Sequence, residues 1–223
     1  MKKNSIALLI TLMFCFAIIS IAYAQGPTIN LPPDQVTMII AQYPSTNCYF
    51  DAALSEVSEG YDVTNGQYSA WCVDEDTNIY QNTYYYPMLY SSYDPANPYP
   101  DDDWDMVNYI LNHKQGTSED VQAAIYYFIN HGDEPTTDAG KAMVDDAIAN
   151  GEGFVPVTGE LMAVVMWIGE TKQTTFIEVS VPLHGVIPEY PIGPVLGLIT
   201  FVAALGVFKY RGRLPEIFQF KHL

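Results

Sequence analysis

Two uncharged apolar runs, one near each end, limit what this chain can fold into more than any other feature, because neither fits a water-soluble core. Lys2 and Lys3 precede an uncharged stretch from Ile6 to Ile21 that stops at Ala22-Tyr23-Ala24, the small-x-small pattern of a signal-peptidase site. The pattern predicts a signal peptide over residues 1–24 and export of the chain from Gln25 onward. Near the other end, Ile192 to Phe208 is uncharged for 17 residues and is followed by Lys209, Arg211 and Arg213. That length is the lower limit for a bilayer-spanning helix, and the positive flank predicts a cytoplasmic tail over 209–223. The expectation is a transmembrane helix over 192–208 that anchors an exported domain on the cell surface.

The intervening residues 25–191 hold 25 of the 26 carboxylates against Lys114, Lys141 and Lys172, a net charge of −22. Such a surface excludes nucleic acid and anionic lipid as partners. It fits a domain that is simply well solvated, or one that repels its neighbours, binds cations or works in salty surroundings. An aromatic share of 13%, with 17 tyrosines, excludes a disordered acidic tail. About 160 exported residues suffice for a full core.

The hydrophobic pattern predicts an α+β domain. Residues 25–45 read as an extended lead-in. Short strand-like runs lie at 35–40, 48–54 and 67–74, separated by turn signals at Glu59-Gly60 and Asn65-Gly66. Residues 79–90 favour strand on their tyrosines, with Pro87 as an edge or a break. Asp94 to Asp103, with three prolines and four aspartates, is a loop. Helical spacing follows in Trp104-Val107-Ile110-Leu111, in Val121-Ala124-Ile125-Phe128, and in Met143-Val144-Ala147-Ile148. Thr117 and Asp120 form a capping-box signature for the second helix, and Gly151 supplies the stop of the third. Residues 161–168 and 174–181 return to strand, with Lys172-Gln173 near the turn of a hairpin. The expected fold is a β-rich sandwich or barrel-like core over 46–182, with about three helices between the front strands and the C-terminal hairpin, then a linker over 183–191.

Cys15 leaves with the signal peptide, so Cys48 and Cys72 are the exported cysteines. Cys72 lies in Ala70-Trp71-Cys72-Val73-Asp74 at a strand end, and Gln122 lies early in a helix, in Gln122-Ala123-Ala124-Ile125-Tyr126. Between them a helix ends in Asn108-Tyr109-Ile110-Leu111-Asn112. This aromatic-Cys-apolar-Asp, Asn-Tyr-Ile-Leu-Asn, Gln-x-Ala-Ile-aromatic order resembles the thioester domain of bacterial and archaeal surface adhesins, over roughly residues 46–181. Val121 stands where that family commonly has Thr, and Tyr126 where it commonly has Trp.

The resemblance implies that the Cys72 sulfur condenses with the Gln122 side-chain carbonyl, losing ammonia, to form an internal thioester. A thioester acylates a nearby amine readily because thiolate leaves well. The domain would then be a one-shot covalent hook for an amine-bearing surface ligand, whether protein lysine, amino sugar or polyamine, and not an enzyme. Such a bond needs shelter from water, for which Trp71, Asp74, Tyr126 and Tyr127 are the pocket candidates.

Other chemistries stay open on the sequence. Strands 48–54 and 67–74, paired about the turn near Gly60, set Cys48 opposite Cys72, within reach of a disulfide that would consume the thiol and leave a stapled, passive envelope module. Cys72 with His113 or His131 would make a Cys-His hydrolase, without a local signature. Asp101, Asp103 and Asp105 offer oxygen ligands for Ca²⁺ but lack the glycine and distal glutamate of a dedicated loop; no other cofactor is expected.

Ile187-Pro188-Glu189-Tyr190-Pro191, the apolar span and the basic end are similar to sorting signals of the PEP-CTERM and PEF-CTERM type. That similarity implies a sortase-like membrane transpeptidase that cuts near Pro188, Glu189, Tyr190 and Pro191. A plain single-pass anchor is the alternative.

Overall fold

A computed structural model describes residues 26–41, 48–99, 103–130 and 132–183, all within one unit, Tyr23–His184. The expected signal peptide, the Pro188-Glu189-Tyr190-Pro191 motif, the transmembrane span 192–208 and the basic tail lie outside the described residues. Among the described residues, no helix is long and apolar enough to cross a membrane.

Seven antiparallel strands form one sheet: β1 (Thr37–Ile40), β2 (Phe50–Ser55), β3 (Gly66–Cys72), β4 (Tyr84–Tyr85), β5 (Met88–Ser91), β6 (Leu161–Trp167) and β7 (Thr175–Ser180). Their spatial order is β4-β1-β2-β3-β7-β6-β5. The two outermost strands are thus β4 and β5, which only Tyr86 and Pro87 separate in sequence. Laid flat, seven strands would hold their edges about 29 Å apart at roughly 4.8 Å per strand. The three steps from Tyr85 to Met88 span at most about 11 Å. The sheet must therefore curl on itself, into a half-barrel. The Val36 N–H donates to the Pro87 carbonyl at 3.1 Å, tying the start of β1 to the link between the edges.

β1 matches the strand-like run read at 35–40, inside the span read as a lead-in, and it pairs with both β2 and β4. The break at Pro87 divides residues 79–90 into β4 and β5, as a proline inside a strand requires.

Side chains alternate between the two faces of the curl. The concave face carries Met38, Ala52, Leu54, Ala70, Cys72, Met162 and Val164. The convex face carries Trp71, Val73, Ala163, Val165 and Phe176, against Val107, Ile110, Val121, Ile125 and Met143 of three helices. These are α1 (Trp104–Asn112), α2 (Ser118–Ile129) and α3 (Asp138–Asn150). Trp71 and Phe176 are fully buried in this second core, where truncation of either to Ala costs roughly 3–5 kcal/mol.

The helix ends follow their sequence signals. Thr117 caps α2 by accepting from the Asp120 N–H, while Asp120 Oδ2 accepts from the Thr117 N–H at 2.8 Å, a complete capping box. Gly151 ends α3 through close approach, since its φ is −92°. A Cβ there would sit 2.7 Å from the Ala147 carbonyl oxygen and 2.9 Å from Met106 Sδ.

The Asn-Tyr-Ile-Leu-Asn segment docks α1 onto β6. Asn112 accepts from the Leu161 N–H and donates to the Leu161 carbonyl, both at 2.8 Å. Asn108, fully buried, accepts from the Ala163 N–H at 2.8 Å and donates to Ser92 Oγ at 3.0 Å. Two side-chain amides thus satisfy strand groups that no neighbouring strand reaches.

Candidate functional site

Cys72 is the last residue of β3, and its backbone is open on one side. β7 covers the other side: Cys72 is paired with Thr175, and the adjacent Val73 N–H donates to the Thr174 carbonyl at 2.9 Å. On the β2 side the ladder stops at Phe50↔Ala70. Continued by two residues, that register would set Cys48 opposite Cys72, as the turn-centred reading expects. The chain leaves the ladder before Phe50, however, and Cys48 turns into the convex-face core.

Gln122 takes the vacated position. Its Oε1 accepts from the Cys72 N–H at 2.9 Å, and its Nε2 donates to the Cys72 carbonyl at 3.0 Å. The side-chain amide mimics the peptide group of a neighbouring strand. Both residues are only 3% exposed, so the arrangement is closed to bulk water. The apolar stripe of α2 (Val121, Ala124, Ile125, Phe128) faces the convex core, and this sets Gln122 on the helix shoulder beside the end of β3.

The thiol side of the site belongs to the concave face. Tyr126, one turn beyond Gln122 and so on the same side of α2, packs against that core, with its hydroxyl near enough to Cys72 for each to shift the other's titration. Gln173 Nε2 lies 3.5 Å from the Tyr126 hydroxyl and donates to the Asp74 carbonyl at 2.6 Å, joining the end of β3 to the β6–β7 hairpin. Burial pushes the Cys72 thiol up to about 11, against a downward pull from the Tyr126 hydroxyl, with Asp74 adding a smaller upward push. The Tyr126 hydroxyl is raised well above its ordinary value, first by burial and then by the neighbouring Cys72. Half-exposed Tyr49 is raised by burial, then by Cys72 and Glu119.

Thr175 shares the concave face with Cys72 and is its cross-strand partner. It is fully buried, and its hydroxyl has no hydrogen-bond partner among the described residues.

The other sequence candidates fall elsewhere. Trp71, adjacent to Cys72, points to the opposite face by strand alternation, where its indole N–H donates to Glu178 Oε1 at 2.7 Å beside Lys114. It walls the convex core and not the thiol. Tyr127 is likewise turned toward the helices. Asp74 keeps its carboxylate in its own loop, accepting from the Asp76 N–H and Thr77 hydroxyl, both at 2.7 Å.

The structure does not draw the Cys48–Cys72 disulfide. Both residues are buried thiols, in cores on opposite faces of the sheet, and Cys48 Sγ donates to the Phe50 carbonyl at 3.1 Å. His113 is stacked on Tyr109 at 4.0 Å at the end of α1, and His131 lies outside the described residues. Of the proposed Ca²⁺ ligands, Asp101 also lies outside. Asp105 accepts from the Met106 and Gly153 N–H groups, and Asp103 precedes α1 without capping it. Among the described residues, no three His, Cys, Asp or Glu side chains are grouped to hold a metal.

Sequence reasoning missed Gln173, Thr175 and the hydroxyl role of Tyr126. The first two lie about fifty residues beyond Gln122 and reach the site only through the β3–β7 pairing.

No protein-family model matches the chain, and no curated protein matches it. Among solved structures, it is similar to the N-terminal domain of the Streptococcus pyogenes pilus tip adhesin Cpa, with a TM-score of 0.41 and 10% identity over 71% of this chain and 100% of that one. It is also similar to the N-terminal thioester domain of a surface protein from Clostridium perfringens, with a TM-score of 0.39 and 11% identity over 64% of this chain and 97% of that one. At these values the likeness is one of fold outline alone.

Proposed function

We propose that Cys72 and Gln122 condense into an internal thioester, and that the domain is a surface adhesin module that captures an amine-bearing partner covalently. The observation that carries this reading is the double hydrogen bond of the Gln122 amide to the Cys72 backbone. It holds the amide carbon beside the residue that bears the nucleophile, with the Cys72 N–H aimed at the oxygen where negative charge develops on attack. The Cys72 carbonyl holds the amide nitrogen that leaves. In the condensation the Sγ–Cδ bond forms, the Cδ–Nε2 bond breaks, and the thiol proton departs with nitrogen as ammonia.

In the second stage an amine replaces sulfur on the Gln122 carbonyl, leaving an isopeptide and a thiol. Nothing turns over, so the protein acts once. Burial of both residues supports the reading, because it spares the bond from hydrolysis. The acidic surface would gather a protonated amine, such as a protein lysine, an amino sugar or a polyamine. Export, anchoring through 192–208 and processing by a sortase-like transpeptidase complete the proposal.

Labelling tests it. The purified protein, incubated with a fluorescent primary amine and digested, should carry the label on the peptide containing Gln122. Label spread over many carboxamides, or none, would sink the reading.

A further inference from the structure

A thioester buried with its thiol has a proton problem. When an amine attacks, the C–N bond forms and the C–Sγ bond breaks with its electron pair going to sulfur. The attacking nitrogen must lose one proton and the sulfur must gain one. Water, the usual carrier, is scarce where both Cys72 and Gln122 are only 3% exposed. A free thiolate is also poorly supported there, since burial holds the Cys72 thiol protonated up to about 11.

The geometry points to the Tyr126 hydroxyl as the group that carries this proton, delivering it to the departing Cys72 sulfur while it takes one from the attacking amine. This rests on the thioester reading and assigns a chemical role within it. Three observations converge on Tyr126. It lies one turn from Gln122, so the acyl carbon and the hydroxyl share one side of α2. It packs against the concave-face core that holds Cys72, and Cys72 is the neighbour that, after burial, raises its hydroxyl. Gln173 steadies that hydroxyl from the β6–β7 loop at 3.5 Å, while its own amide is fixed by the Asp74 carbonyl at 2.6 Å. The proton count closes without a further reagent: one N–H proton is lost, one S–H bond is made, and Tyr126 ends as it began. His113 is stacked on Tyr109 at the end of α1, and Tyr49, whose hydroxyl also feels Cys72, is half-exposed, whereas Tyr126 is packed into the core that holds the thiol.

The test is the rate at which methylamine consumes the ammonia-deficient form of the purified protein, followed by intact mass in wild type and in Tyr126→Phe. The substitution keeps the ring and removes only the hydroxyl. The expected result is a variant that still shows the deficit but reacts roughly 100-fold more slowly, with added imidazole restoring much of the rate. Rescue by a small soluble acid is a readout that lost packing would not give. A variant as fast as wild type, or one that is slow and indifferent to imidazole, overturns the relay. A wild type without the deficit overturns instead the thioester reading on which the relay rests, so the two failures are distinct.

Discussion

Gln122 occupies, in front of Cys72, the place where a strand would run. The β2 ladder ends two residues short, and the Gln122 side-chain amide takes up both backbone groups of Cys72, at 2.9 and 3.0 Å. Nearly all buried backbone groups find partners, so this arrangement links the stability of the β3 end to a side chain on α2.

Removing that side chain therefore has a structural cost apart from any chemistry. Gln122→Ala leaves the Cys72 N–H and carbonyl buried without partners, and is expected to destabilise the fold by about 3 kcal/mol. Chemical denaturation, with both proteins lacking the cross-link through Cys72→Ala, measures this. A cost near zero would mean that water or a shifted strand replaces the amide.

The raised thiol gives a second expectation. In Gln122→Ala, where no cross-link forms, about one Cys72 in ten thousand is thiolate at pH 7 if burial still holds the thiol near 11. Alkylation by iodoacetamide, read at the Cys72 peptide, should be slow and should rise about tenfold per pH unit toward 11. A rate that levels off near pH 8 would contradict the burial argument.

Thr175 buries a hydroxyl beside Cys72 with no partner among the described residues. Thr175→Val keeps the shape and removes the unpaired group, and is expected to raise stability by about 1 kcal/mol. A loss of similar size would show that the hydroxyl is bonded in solution.

Asp120 makes the start of α2 sensitive to acid. The Thr117 N–H, and after it the Thr137 hydroxyl, hold its carboxyl below the ordinary value of 3.8. A carboxyl with a lowered folded value binds fewer protons folded than unfolded, so its contribution is full above about pH 4 and is lost as pH falls through the lower folded value. Wild type and Asp120→Asn should differ in thermal stability at pH 6 and converge as pH falls below the ordinary carboxylate range. A difference that does not depend on pH would contradict this.

Much of this fold was readable from local pattern. The three helices, the capping box at Thr117 and Asp120, the break at Pro87 and the β6–β7 hairpin all rest on contacts within a few residues. The curl of the sheet was less visible, because it follows from β4 and β5 lying at opposite edges, which is a matter of strand order. The β2–β3 register was also legible, since Cys48 does fall opposite Cys72 by count. What the count could not convey is that the strand ends at Phe50, sending Cys48 to the other face. For the same reason Trp71 looked like a wall for its neighbour's thiol, although adjacent strand residues face opposite ways. Cys72 and Gln122 were singled out through motif resemblance, whereas Gln173 and Thr175 carry no motif and enter through long-range pairing.

The central claim is a bond between Cys72 and Gln122, and the most direct measurement is the intact mass of the purified protein before and after methylamine. The account predicts a deficit of one ammonia, its replacement by one added methylamine, and no deficit in Gln122→Ala or Cys72→Ala, while Cys48→Ala retains it. A full-mass chain indifferent to methylamine, or a deficit of two hydrogens that reductant reverses, would contradict it.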